Sequence, residues 1–282
     1  MITRTMKLKF APLLLGAALA TASVQATAHF LLVYTPQTAL IRGADLPFHL
    51  IFTHAFNGGP SMEMAKPKRF YFAKQAAPDE KSEIVDLSSY LEPIQWQAEK
   101  GTVSAWRANI PRSAIRSLGD YQIVVEPEPF HEDSEDIYIQ QFSKVMINVG
   151  GVPGNWDETL GLPAEIAALN KPYANWTGSV FRGVVLGDGK PMPFTQVEVE
   201  YLNHDLDVTN NRFVEEAHIE APHPSLGAMV IKTDANGQFA FSLAKAGWWG
   251  FAALDIGPVK TFNDRPLSQD GVLWVQATDL PQ

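Results

Sequence analysis

The sequence predicts an all-β chain: two immunoglobulin-like antiparallel β-sandwich domains joined by a Gly/Pro-rich connector, behind a cleaved signal peptide. Three observations lead there. Short runs rich in β-branched and aromatic residues recur along the chain with Pro and Gly between them. Tight-turn pairs, Gly187-Asp188-Gly189 and Asn236-Gly237, supply the positive φ angles of hairpins. The chain has no cysteine, and its length beyond the leader is enough to bury two cores of ordinary size without disulfides.

Residues 1–28 open with Arg4, Lys7 and Lys9, continue as an apolar run from Phe10 to about Ala20, and end on small residues at Ala26 and Ala28. The run falls short of the roughly 20 residues that span a bilayer, so it reads as a secretory signal and not as an anchor. No later segment is long and apolar enough to insert, so the expected product is a periplasmic protein without stable membrane insertion. The net charge is −9, and cleavage removes cations only. Such acidity excludes nucleic acid as a partner, repels anionic lipid and attracts cations diffusely.

Residues 29–149 form the first expected sandwich. In "FHLIFTHAF", alternation puts Phe48, Leu50, Phe52 and His54 on one face and His49, Ile51 and Thr53 on the other. Residues 150–172, rich in Gly and Pro around one short helical turn, read as the connector. Residues 173–282 form the second sandwich. Within it, 203–225 is a long polar stretch holding His204, His218 and His223, and it reads as a loop without structure of its own.

Cleavage after Ala28 makes His29 the first residue of the exported chain. Its α-amine and imidazole Nδ1 then close a six-membered chelate on one divalent ion, and one more imidazole completes a nitrogen-rich set suited to Cu(II) or Ni(II). His49 and His54 are the nearest candidates, and their odd spacing directs them to opposite faces of one strand. His54, at the strand end before the flexible "NGGPSMEM" segment, is the better choice. "EPEPFHEDSED" adds His131 with Glu132 and Glu135, while Met62 and Met64 read as packing residues. No nucleophile, zincin or phosphate-loop signature stands in its structural context, so no enzyme is indicated.

"AHFLLVYTP", "THAFNGGPSMEMAKP", "EPEPFHEDSEDIYIQQFSKV", "NWDETLGLPAEI" and "KTDANGQFAFSLAKAGWWGFAAL" occur in that order. Together they resemble the periplasmic component family of cobalt/nickel uptake transporters, long catalogued as a domain of unknown function. The resemblance implies a two-sandwich protein that binds Ni(II) or Co(II) and passes it to inner-membrane metal transporter subunits, with His29 and His54 as ligands. It also marks a departure: the family commonly has a histidine at Gln141 and an aromatic residue at His131. The expected metal set is therefore His29 and His54, completed by His49, His131 or Glu132. The rival readings are a copper-binding periplasmic carrier, a histidine-brace copper oxidase acting on a polysaccharide, and a metal-free interaction module.

Overall fold

The computed structural model describes residues 29–77 and 80–281, so the leader expected over 1–28 lies outside the described residues. Regular structure among them is β throughout, apart from two single-turn 3-10 helices at Ser88–Tyr90 and Pro224–Leu226. A five-stranded sheet runs in the order Phe30–Tyr34, Leu46–Thr53, Thr102–Ile110, Leu91–Gln97, with Ser61–Met62 paired to Leu46–Thr53. The first two strands are antiparallel in the register Phe30↔Thr53 to Tyr34↔His49. The strand "FLLVY" has no polar face because both its faces are covered. Leu31 and its neighbour Phe52 border one cavity, while Phe30 packs edge-on against Trp274 on the other side.

A second, twelve-stranded sheet passes through both halves of the molecule. Its central path is Ala228–Lys232, Gln196–Tyr201, Gly247–Ala253, Arg265–Thr278, Ile137–Val149, Gly119–Glu126, Arg69–Lys74, Glu83–Asp86. The join is parallel, from Tyr138↔Leu267 to Val145↔Trp274. Both joining strands are buried on both faces over most of their length, as strands inside a sheet must be. One core, with Phe30, Phe48, Phe70, Trp96 and Trp274, fills the space between the five-stranded sheet and its half of the long sheet. A second core, with Phe181, Phe239, Trp249 and Phe251, lies under a four-stranded sheet built on Ala164–Ala168, Val180–Gly187 and Gln238–Ser242. The fold is thus all-β with two sandwich systems, and they share one sheet.

Two segments differ from their sequence reading. The helical turn expected within 150–172 is absent, and Ala164–Ala168 is instead a fully buried strand paired with Val180–Gly187. Glu165 anchors that strand. Its carboxylate takes Lys144 Nζ at 2.6 Å, with both side chains almost fully buried, and also accepts the N–H groups of Leu160, Gly161 and Leu162. Burial by itself would raise this carboxyl, but Lys144 and the backbone N–H groups outweigh it and hold Glu165 below its ordinary value. The stretch 203–225, expected as a loop, folds as a hairpin of His204–Asp207 on Arg212–Ala217.

Removing one member of a buried pair strands the other charge without water. Glu165→Ala should therefore lower unfolding free energy by about 3–5 kcal/mol, read from the urea midpoint. The double variant Lys144→Met/Glu165→Leu should recover much of that loss.

Candidate metal centre

His29 stands just before the strand Phe30–Tyr34, and His54 just after Leu46–Thr53. Because these strands pair antiparallel with Phe30 opposite Thr53, the two histidines meet at the same end of the sheet. Their ring centroids lie 4.4 Å apart at an interplanar angle of 41°. Glu132 reaches them from the hairpin Phe130–Glu132/Ile137–Ile139, its Oε2 3.4 Å from His29 Nε2. Phe52 and Phe130 flank the His29 ring at centroid distances of 5.5 and 6.3 Å, which walls the site with hydrocarbon.

The backbone at both histidines is pinned. His54 donates its N–H to the Pro60 carbonyl at 3.3 Å and accepts from Gly59 N–H at 3.1 Å, closing the Asn-Gly-Gly-Pro turn. That segment was expected to be flexible. It is instead laced to the sheet through Phe52↔Met62 and Thr53↔Ser61. The next turn residue, Phe56, donates its N–H at 3.1 Å to buried Glu200 on the Gln196–Tyr201 strand. On the other side, Gln141 accepts the Leu31 N–H at 2.7 Å and donates to the His29 carbonyl and, at 3.2 Å, to buried Asp270. The position where the family resemblance leads to a histidine thus carries a side chain that grips the backbone of His29.

The remaining expected ligands lie elsewhere. His49 pairs with Tyr34 at the far end of the same strand, about 16 Å from His54 at 3.3 Å per residue, and its ring packs near Trp96. His131 lies with its ring against Tyr138 at a tilt of 47°, and its ring nitrogens meet Asp133 at 2.8 Å and Asp136 at 3.2 Å. It alternates with Glu132 on a short strand, so the two side chains leave opposite faces. The structure therefore brings together His29, His54 and Glu132, and does not bring His49 or His131 to them. No group of three His, Asp or Glu side chains among the described residues already closes to a metal-holding cluster. Two imidazoles and a carboxylate are gathered at the site, and in the full-length sequence the His29 nitrogen is tied to Ala28.

Electrostatics keep the donors ready. Burial, then His54, push the His29 imidazole down to about 4, only partly opposed by Glu132, so it is neutral at pH 7 with a lone pair available. Burial would raise Glu132, but hydrogen bonds from Ser134 and the charges of His29 and His54 hold it below its ordinary value. His49 is also pushed down to about 4, by burial and then Arg107. Burial drives Glu200 the other way, up to about 8, with the Phe56 and Ala55 N–H groups opposing and Glu198 adding to the rise.

The sequence profile of a family described as Domain of unknown function (DUF4198) matches residues 26–257. The chain belongs to that family. No curated protein matches this DUF4198 chain significantly. Solved structures similar to it include the D0-D1 domain of intimin, with TM-score 0.20, 10% identity, and 86% of this chain and 96% of that one covered. The ectodomain of mouse nectin-like molecule 4 gives 0.20, 10%, 89% and 65%. The Yersinia pseudotuberculosis adhesin InvE gives 0.21, 11%, 86% and 58%. Overlays this loose carry no argument about activity. No helix among the described residues is long and apolar enough to cross a membrane.

The pKa directions set the pH dependence of stability. His29 and His49 have folded values below the unfolded 6.5, so what they contribute is present above pH 6.5 and is lost as pH falls toward about 4. Each amounts to roughly 2–3 kcal/mol. Glu200, raised from 4.5, contributes below that value and loses its contribution as pH rises through about 8. Urea unfolding of the metal-free full-length chain should therefore show greatest stability near pH 6.5. His49→Leu should shallow the acid limb, and Glu200→Gln should remove most of the alkaline fall.

Proposed function

We propose that this DUF4198 protein is a non-enzymatic, exported metal-binding protein that takes up Ni(II) or Co(II) and passes it to an inner-membrane uptake transporter. One observation carries the reading: the His29 and His54 rings converge at 4.4 Å, with Glu132 beside them, at the residue that cleavage of an Ala-x-Ala leader would expose. The donor set fits the cargo. Imidazole is a ligand of choice for divalent nickel, and rings this close can share an ion at bonds of about 2.0–2.1 Å.

Glu132 has a distinct part in the proposal. It faces Nε2 of His29, whereas an amine-imidazole chelate uses Nδ1. A carboxylate on the far nitrogen of a ligating histidine holds the tautomer and the ring direction. Glu132 therefore orients the ligand, and the new amine, Nδ1 of His29 and His54 form the nitrogen set. The same set ranks Cu(II) above Ni(II), so a copper carrier is the second reading, and affinity order does not separate the two.

The test starts from intact mass and metal content of the exported protein, followed by competitive titration with nickel, cobalt and copper. A chain beginning at His29 that carries one equivalent of nickel or cobalt is expected. His29→Ala or His54→Ala should abolish tight binding, while Glu132→Ala should weaken it about 10–100-fold. One extra Ala before His29 keeps both rings but removes the amine, and it should cost as much as losing His29. Copper retained from mixed-metal medium selects the second reading. Copper-dependent oxygen consumption with a polysaccharide would make the protein an oxidase and contradict the carrier role.

A further inference from the structure

The end of the first sandwich opposite the candidate metal centre carries a surface that metal binding does not use. The strand Ile137–Val149 runs 13 residues from its pairing with Phe130–Glu132 to its pairing with Ala39–Leu40. At 3.3 Å per residue the two ends lie about 40 Å apart. Beyond the far end, three connections converge: 41–45, 111–118 and 150–153.

Close approaches fix these connections to one another. Gly43 sits so tightly on the Ile115 carbonyl and the Arg116 Cα that a Cβ would not fit. Gly150, at φ 77°, has a Leu118 methyl where a side chain would begin, with the Ile41 carbonyl in ordinary contact at 3.9 Å. Lys74 Nζ donates to the Leu118 carbonyl at 2.9 Å, and Asn148 Nδ2 to that of Val152 at 2.9 Å.

On this fixed tip Ile41 is 93% exposed, Leu118 59% and Val152 45%. Single exposed aliphatics are ordinary, but three on adjoining loops form a patch. Arg42, Arg112 and Arg116 stand exposed on the same loops, and Lys171 borders the same hollow as Ile41. The adjoining carboxylates are Asp45, which accepts the Arg112 backbone N–H, and Glu83, opposite Lys74 in the ladder. Asp120 is buried and taken up by Asn148 and Gly154. In a chain with 31 acidic against 22 basic residues, the tip inverts the overall sign.

We propose that this tip docks the protein on an anionic lipid surface, with Ile41, Leu118 and Val152 entering the interface and Arg42, Arg112 and Arg116 meeting lipid phosphates. The occupant is set by charge complementarity. A bilayer face offers anionic groups at its plane and hydrocarbon beneath, and an aliphatic point ringed by guanidinium groups matches both layers. The net acidity of the chain repels anionic lipid, and the locally basic tip is suited to approach it. The attachment is peripheral, and it points the His29 end away from the lipid. It holds whether or not that end takes a metal.

Flotation of the exported protein with vesicles of phosphatidylethanolamine and phosphatidylglycerol, against pure phosphatidylcholine, tests the proposal. Co-flotation with the anionic vesicles alone is expected, weakening with salt. I41D/L118D and R42E/R116E should each cut partition at least about tenfold with unchanged unfolding midpoints, since all four side chains are exposed. The chain lacks cysteine, so I41C labelled with an environment-sensitive dye should shift blue on anionic vesicles, while V230C, on the second sandwich, should not. No partition, or partition kept by both double variants, overturns the proposal. So does binding only to native membrane vesicles that protease shaving abolishes, which would assign the tip to a protein partner.

Discussion

The position of one short strand, Phe30–Tyr34, governs the molecule. It is the edge of its own sheet, paired on one side only, and its other side meets side chains in place of a second ladder. Gln141 accepts the Leu31 N–H, while Ser143 Oγ and Trp274 Nε1 both donate to the Leu31 carbonyl at 2.8 and 2.9 Å. These donors and acceptors sit on the two strands that form the join of the long sheet. A bare edge strand left uncapped would fray. Here the edge is capped at Leu31, two residues beyond His29, so the imidazole is presented from rigid backbone.

The polar interior serves the same end. Buried Gln141 and Asp270 form a chain with half-buried Ser268, in which Asp270 accepts from Gln141, Ser268 and the Asp255 N–H. Burial of Asp270 raises its carboxyl, with Ser268, the Asp255 N–H and Gln141 opposing. Glu165 with Lys144, and Glu200 with the Phe56 N–H, do comparable work at other joints between the halves. Each polar group is partnered at a place where two sheets or a sheet and a turn must keep one register. Such groups specify geometry more than they add stability.

Much of this is legible in the residues. Period-two alternation in "FHLIFTHAF" set Phe52 and His54 on one face and His49 on the other, and the structure places them so, because one face of that strand looks into the cavity beside His29. The parallel join was not legible. Its strands are buried on both faces yet mix apolar residues with polar ones such as Gln141, Lys144 and Asp270, lie more than 100 residues apart, and carry no pattern naming a partner. Nor was the hairpin at 204–217, whose turn holds Asn211 at φ 52° within a run as polar as any loop. His131 illustrates a third limit: neighbours only two and five residues away claim its ring, and spacing alone does not show which carboxylates turn inward.

The long sheet has a further consequence, for biogenesis. Trp274, on the last long strand of the sequence, packs against Phe30 and bonds Leu31, so the strand Phe30–Tyr34 cannot settle until that strand has arrived. Contacts spanning nearly the whole polypeptide make folding slow and defer it to completed synthesis. A chain threading a translocation pore while still incomplete has no finished core to jam the channel. For the exported protein proposed above, the topology itself would keep the polypeptide competent for passage, with His29 locking into place only after the carboxy-terminal strand has crossed.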